Sequence, residues 1–450
     1  MSKGIKVKKG LDLRLVGEAS KELVSARESK TYVIKPSDFH LVVPKMIVKE
    51  GGRLKKGDPI FYAKGNEDLK VLSPVSGTLT KIERGAKRVI LRIFIEADAQ
   101  QEETVYSTVN ISSAKPEEIK KAWLQGGCWP FIMQRPYDVI ANQGTTPRDI
   151  FISGFSTAPL AADVDFVLQG KEKEVQAALT ALSKLTSGKV HVGVNSTSGL
   201  FTAMKDIELH QVSGPHPAGN VGTQINKLSP VNKGETVWTI APQHLAIMGE
   251  MLLTGKYNPE RIVAFVGSSL ERPKYFKTKI GAELDPVIQE IGLKEKNVRV
   301  INGDVLTGDQ AEKQGGHLGF ANSVVTVIPE GDDYEFFGWN KPVFDKISTS
   351  RALTFSWLNP KKKYELTTNT NGEHRAFVLT GNYEEVFPLD IYPLQTLKAC
   401  MVKDLDQMEA LGMYEVAPED FALTEFICVS KQPHQQIIRE GLDLMYKEIG

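Results

Sequence analysis

Ten residues, GPHPAGNVGT at 214–223, hold three glycines and two prolines between two apolar segments, and they constrain the chain more tightly than any other stretch. Pro215 and Pro217 fix φ and give up their backbone donors, whereas Gly214, Gly219 and Gly222 admit left-handed geometry or the close approach of another backbone or a ligand. The stretch reads as a rigid, shaped loop. It is either a packed connection inside an α/β domain or the wall of a pocket.

Composition narrows the partners. Lys plus Arg equals Asp plus Glu at 55 each, so no global field draws the chain to nucleic acid or to an anionic membrane. At 450 residues the chain is expected to fold as about three or four domains. Cys128, Cys400 and Cys428 lie far apart, which argues against a disulfide framework and for the cytoplasm. The opening MSKGIKVKKGLDLRLVG lacks the apolar core of a signal peptide, and no run approaches the roughly 18 apolar residues of a transmembrane helix. Any membrane association is therefore expected to be peripheral, with no transmembrane segment.

Taken in order, the periodicity predicts a multidomain α/β protein. Residues 38–98 alternate apolar and polar positions between glycine-marked turns, as a small β-barrel or sandwich does, within a domain 1–112. The phrases VKEGGRLKKGDPIF and LSPVSGTLTKI resemble the lipoyl and biotinyl carrier fold, but Asn66 stands where carriers place the modified lysine, so the barrel is expected without a swinging arm. From 113 to 257 helices and strands alternate as in an open, Rossmann-like α/β sheet, with strands expected at DVIAN, DIFISGF, VDFVLQG, VHVGVN and VWTIAP. Helices are expected at 116–125, 171–187 and 243–254. Ligands of such sheets sit beyond the carboxyl ends of strands, here 126–137 and 214–223. Residues 258–300 read as a β-grasp module, 301–372 as a β-rich connection with strands at VVTVIPEG and LTFSWL, and 373–450 as a helical domain.

The series GPHPAGNVGT, RPKYFKTKIGAEL, GDVLTG followed by His317-Leu318-Gly319, TTNTNG, GNYEEVFPLD and ALGMYEV spans the chain and resembles the A-subunit family of the bacterial sodium-translocating NADH:quinone oxidoreductase. The resemblance implies a peripheral subunit on the cytoplasmic side of the bacterial inner membrane, joined to the other subunits of a complex that passes electrons from NADH to quinone and exports Na⁺. It implies that the complex as a whole uses FAD, FMN, riboflavin and iron-sulfur centres. It also implies kinship with the C component of the Rnf electron-transport complex and with the NADH-binding flavoprotein of respiratory complex I, which bind FMN, a tetranuclear cluster, or both.

Both cofactor motifs of those relatives are degraded here. Their glycine-rich flavin loop aligns with LQGGCWPFIMQRPYD, which keeps Gly126 and Gly127 but follows them with bulky Cys128 and Trp129, and no G-x-G-x-x-G or P-loop occurs elsewhere. In its place stand flat apolar faces, Trp129, Phe131 and Tyr137, beside Arg135 and the amides of Gly126 and Gly127. That mixture suits a quinone ring or simply fills the flavin's space. His216, in the shaped loop, is a candidate donor to a quinone carbonyl. The relatives' C-x₂-C-x₂-C-x₃-C-P run aligns with PEDFALTEFICVSK, where Cys428 survives and Thr424, Phe421 and Pro418 occupy the other ligand positions. A domain that binds no cluster is expected, its centre filled by Phe421, Leu423 and Phe426 against Cys428. The chain is therefore expected to bind no cofactor and no metal, and to act as a docking or quinone-contacting subunit. The rival is an autonomous FMN-binding dehydrogenase subunit, and the third class is a carrier-like adaptor.

Overall fold

The structure, a computed structural model, describes residues 4–312, 316–332, 346–349, 358, 361–377 and 381–450. The alternating segments near the N-terminus form two small sheets. One orders Thr31–Ile34, Ile90–Ala97, Gly77–Arg84 and Arg53–Leu54; the other orders Pro44–Met46, Pro59–Ala63 and Asn66–Leu72. Ile60, Phe61, Leu79, Ile93 and Ile95 join one core, with period-two burial at Ile93 and Ile95. The hairpin that carriers use as an arm is tied down, because Asn66 Oδ1 accepts from Gln143 Nε2 at 3.2 Å.

The largest sheet has seven strands in the order Ile5–Lys6, Glu208–Ser213, Val190–Val194, Ile150–Ser153, Val237–Ile240, Ile132–Arg135, Val139–Ile140. The first five run parallel, Ile132–Arg135 runs antiparallel to them, and Val139–Ile140 pairs antiparallel with Ile132–Arg135. Ile150–Ser153 and Val237–Ile240 are buried at every position, because helices cover both faces and leave no side for polar residues. Ile150, Ile152 and Trp238 meet helices Glu172–Ser183 and Pro242–Thr254, while Phe151 and Val237 meet helix Val221–Leu228. The expected strand VDFVLQG is instead a helical turn, Val164–Val167, since Asp163 accepts from the Phe166 amide at 2.9 Å and starts a helix despite two valines and a phenylalanine. Strands Ile132–Arg135 and Glu208–Ser213 were not read from the sequence.

A six-stranded sheet orders Asp309–Gln310, Val298–Asn302, Val324–Pro329, Glu260–Val266, Lys274–Lys279 and Ser20–Ser25, with helix Asp285–Ile291 against it. Strand VVTVIPEG is thus present, and LTFSWL lies outside the described residues apart from Leu358. The C-terminal region is helical over Pro393–Val402, Leu405–Ala410, Ala422–Phe426 and His434–Ile449. LQTLKACMVKDLDQMEAL is two helices and not one, broken where Lys403 takes φ +59° and Asp404 caps the next helix through the Gln407 amide. Among the described residues no helix is long and apolar enough to cross a membrane.

A junction built from the candidate site residues

The segment 126–137 lies inside the protein. Gly126 and Gly127 end helix Pro116–Gln125, and a Cβ on Gly126 would stand 2.5 Å from the Met251 side chain, one on Gly127 2.6 Å from Leu72. These glycines admit apolar side chains where a phosphate cradle would need open amides. Trp129 donates from Nε1 to the Ala141 carbonyl at 2.7 Å and meets Trp238 edge-on. Phe131 is stacked between His244 at 4.2 Å and Phe320 at 4.7 Å, with the Arg261 guanidinium 5.3 Å from the ring centre. Burial, followed by repulsion from Arg261, holds His244 well below the ordinary imidazole range.

Strand Ile132–Arg135 then carries the chain toward the C-terminal region. The Arg135 guanidinium, 1% exposed, donates from Nη1 to Asp420 Oδ2 and to the Glu415 carbonyl, both at 2.9 Å, and from Nη2 to Glu419 Oε1 at 3.4 Å. Burial, the largest single influence, would depress its pKa, but the charges of Asp420, Asp138 and Glu419 and the Asp420 hydrogen bond together raise it. Asp420 also accepts from the Ala417 amide at 2.8 Å. Its other oxygen faces Gly222, where an added Cβ would stand 2.3 Å away. Tyr137 packs edge-on against Tyr414 and Tyr446, and its carbonyl accepts from Arg439. Segment 126–137, the shaped loop and the stretch around Asp420 therefore meet at one place.

His216 belongs to a different neighbourhood. Its amide donates to Asp12 Oδ1 at 2.9 Å, and Nδ1 stands 3.1 Å from Thr157 Oγ1, which accepts from the Gly219 amide. Burial holds its ring down to about 4. Gly214 at φ +140° lets the loop pass the Val7 carbonyl, so the loop's close approach is to backbone. The partners of His216 are thus Asp12 and Thr157, whereas those of Trp129 and Phe131 are Trp238, His244 and Phe320, and the structure does not bring the histidine to the aromatics.

The cluster run folds otherwise than expected. Phe421 packs with Phe387 and the long C-terminal helix, Leu423 and Phe426 pack with Leu13 and Val386, and Cys428 packs with Tyr383 and Leu394. The space around Cys428 is thus filled by Tyr383, whose Oη lies 3.0 Å from Sγ, and not by Phe421. The other thiols have their own surroundings: Cys128 Sγ sits by the Gly126 carbonyl and Cys400 Sγ by Met413 Sδ. Burial pushes Cys128 and Cys400 up to about 12, which keeps them thiols and poor ligands. Sequence reasoning missed Asp420, Glu415, Arg439 and His244. Asp420 alone carried a signal, the A-P-E-D phrase of a helix start.

Chemically this junction fixes one domain against another. Family models match three stretches: the NqrA second alpha/beta domain over residues 114–257, the NqrA N-terminal barrel-sandwich hybrid domain over 5–98, and the NQRA C-terminal domain over 262–313. The chain is 35% identical over 445 residues to the A subunit of the Na(+)-translocating NADH-quinone reductase of Marinomonas sp., covering 98% of this chain and 99% of that one. It is 35% identical over 448 residues to the same-named subunit of Haemophilus influenzae, covering 99% and 100%. Among solved structures, a chain of an NAD⁺-reducing NiFe-hydrogenase in the air-oxidized state matches over 48% of this chain and 47% of its own, at 13% identity and a TM-score of 0.36, too loosely to carry an argument.

Proposed function

The chain belongs to the A-subunit family of the Na(+)-translocating NADH-quinone reductase, and from that premise we propose that it is a peripheral, cytoplasmic-side docking subunit of a complex that oxidises NADH, reduces quinone and exports Na⁺, binding neither flavin nor iron itself. The observation that carries the docking role is the junction at Arg135, where the segments aligned with two cofactor sites are joined to each other by a buried ion pair. Gly126 and Gly127 packed on Met251 and Leu72, and three cysteines in three separate surroundings, suit neither FMN nor a tetranuclear cluster. The kinship with the Rnf C component and the complex I flavoprotein, the Rossmann-like and β-grasp descriptions, and the domain limits 1–112, 113–257, 258–300, 301–372 and 373–450 belong to the same proposal. Purified full-length protein should be colourless near ~450 nm, where flavin absorbs, and should hold no acid-labile sulfide. A stoichiometric flavin band would instead establish the dehydrogenase reading.

For quinone two readings divide on one measurement. In the first, quinone contacts Gly126–Tyr137, and a ring that stacks on Phe131 has to replace His244 or Phe320. In the second, favoured by the 0% and 3% exposure of Trp129 and Phe131, the aromatics are core. Folded Phe131→Leu should bind a quinone analogue about 5- to 100-fold more weakly under the first reading; unchanged affinity supports the second and moves the contact elsewhere.

A further inference from the structure

The parallel sheet carries a second cluster at its other end. Strands Val190–Val194 and Glu208–Ser213 pair in register with His191 opposite Glu208 and Gly193 opposite His210. Paired residues share a face, as do residues two apart along a strand, so His191, Glu208 and His210 stand together on one face. His191 Nδ1 lies 2.9 Å from His210 Nε2 and 3.6 Å from the Glu208 carboxylate, and ligand atoms of all three fall within 4.8 Å of one another. The face is the one on which Phe151 stacks against His191. The cluster marks the amino ends of the strands, away from the loop 214–223 that leaves their carboxyl ends.

Asp149 Oδ1 stands 3.4 Å from His191 Nε2 and is itself held by the Lys189 amide at 3.1 Å, while Arg148 Nε donates to Oδ2 at 3.0 Å. With a hydrogen on Nε2 facing that carboxylate, His191 would offer Nδ1 to an ion. Carboxylate to imidazole to metal is the arrangement that orients zinc-binding histidines. His210 is 8% exposed and has no partner at Nδ1 among the described residues, so the cluster is what holds its ring.

We propose that His191, His210 and Glu208 bind a zinc-class divalent ion, with Asp149 as the outer carboxylate that orients His191. Two imidazole nitrogens and one carboxylate suit Zn²⁺ or Co²⁺ and disfavour Na⁺, Mg²⁺ and Ca²⁺, which take oxygen ligands. Tetrahedral nitrogen ligands stand roughly 3.3 Å apart at about 2.0–2.1 Å from zinc, so the two rings need to open by only a few tenths of an ångström. Glu208, 40% exposed at its side chain, pairs through one oxygen with Lys189 and faces His191 with the other, which closes the third side. The ion would tie the two strands together at the edge of the second domain.

Full-length protein stripped of metal with a chelator is titrated with Co²⁺ and watched for visible d–d absorption. One equivalent should bind, be displaced by Zn²⁺, and be indifferent to excess Na⁺ or Ca²⁺. Asp149→Asn should weaken binding by about 10- to 100-fold, and Glu208→Gln and His191→Gln by more. His210→Gln sits in a buried position and risks the fold, so the half-buried Glu208→Gln and His191→Gln carry the test. Absence of saturable Co²⁺ or Zn²⁺ binding by folded wild type, or binding unchanged in both Glu208→Gln and His191→Gln, overturns the proposal.

Discussion

Arg135 and Asp420 form a fully buried ion pair, at 1% and 2% exposure, that spans the α/β domain and the C-terminal helices. Removing only the cation strands a carboxylate in the interior, so Arg135→Met should cost about 3–5 kcal/mol in urea unfolding, and Arg135→Met with Asp420→Ala should cost less than Arg135→Met alone. A second residue-scale outcome concerns His434. Thr424 Oγ1 donates to the Phe421 carbonyl at 2.8 Å and therefore accepts from His434 Nδ1 at 2.9 Å, which leaves Nε2 as a buried lone pair with no partner among the described residues. Burial lowers this ring to about 4 from 6.5. The unfolded chain thus binds more protons than the folded one between those values, and stability falls as pH drops from 6.5 toward 4. The ring contributes at most about 3 kcal/mol to that loss. His216, lowered to about 4 by burial, adds a similar slope. Chemical unfolding at a series of pH values should show a shallower slope in His434→Gln than in wild type.

At the scale of elements, helix Val221–Leu228 takes its place from a missing side chain. Ala at Gly222 would gain helix propensity of about 1 kcal/mol, yet its Cβ would stand 2.3 Å from Asp420 Oδ1. Overpacking of that kind costs about 1–3 kcal/mol, so Gly222→Ala should lower the melting temperature. Its effect should shrink when Asp420 is already Ala, a double-mutant cycle that reads the contact directly. The helical turn Val164–Val167 and the break at Lys403 teach a related lesson. In both, one aspartate side chain bonded to an amide three residues on decided the element, against the apolar composition around it.

On the scale of the whole molecule, helix Pro393–Val402 buries Leu394, Leu397 and Cys400 but leaves Tyr392, Met401 and Val402 exposed at 66%, 51% and 73% at its two ends. Apolar surface left in water at a domain edge suits a protein partner. Met401→Glu with Val402→Glu should leave the isolated chain folded and reduce its recovery with the membrane-embedded subunits when the complex is purified. A spanning helix needs about 20 apolar residues, and among the described residues no helix is long and apolar enough to cross a membrane. Full-length chain in liposomes should support no specific ²²Na⁺ flux.

Local rules sufficed for much of this protein. Alternation from 38 to 98, the runs at 150–153, 190–194 and 237–240, the helix stop at Gly126 and the amphipathic C-terminal helix are each fixed by a neighbour or two along the chain, so they were legible. Which side chains meet across the chain was not. Arg135 meets Asp420 across 285 positions, Cys428 meets Tyr383 across 45, and His191 meets His210 across two strands. The shaped loop was recognised as rigid, but whether its glycines faced a ligand or a backbone depended on where Val7 and Asp420 came to lie. Sequence determined which segments were strand, helix or turn because those are short-range energies. Tertiary structure decided which polar groups found partners, because a buried charge is satisfied by whatever the fold brings to it.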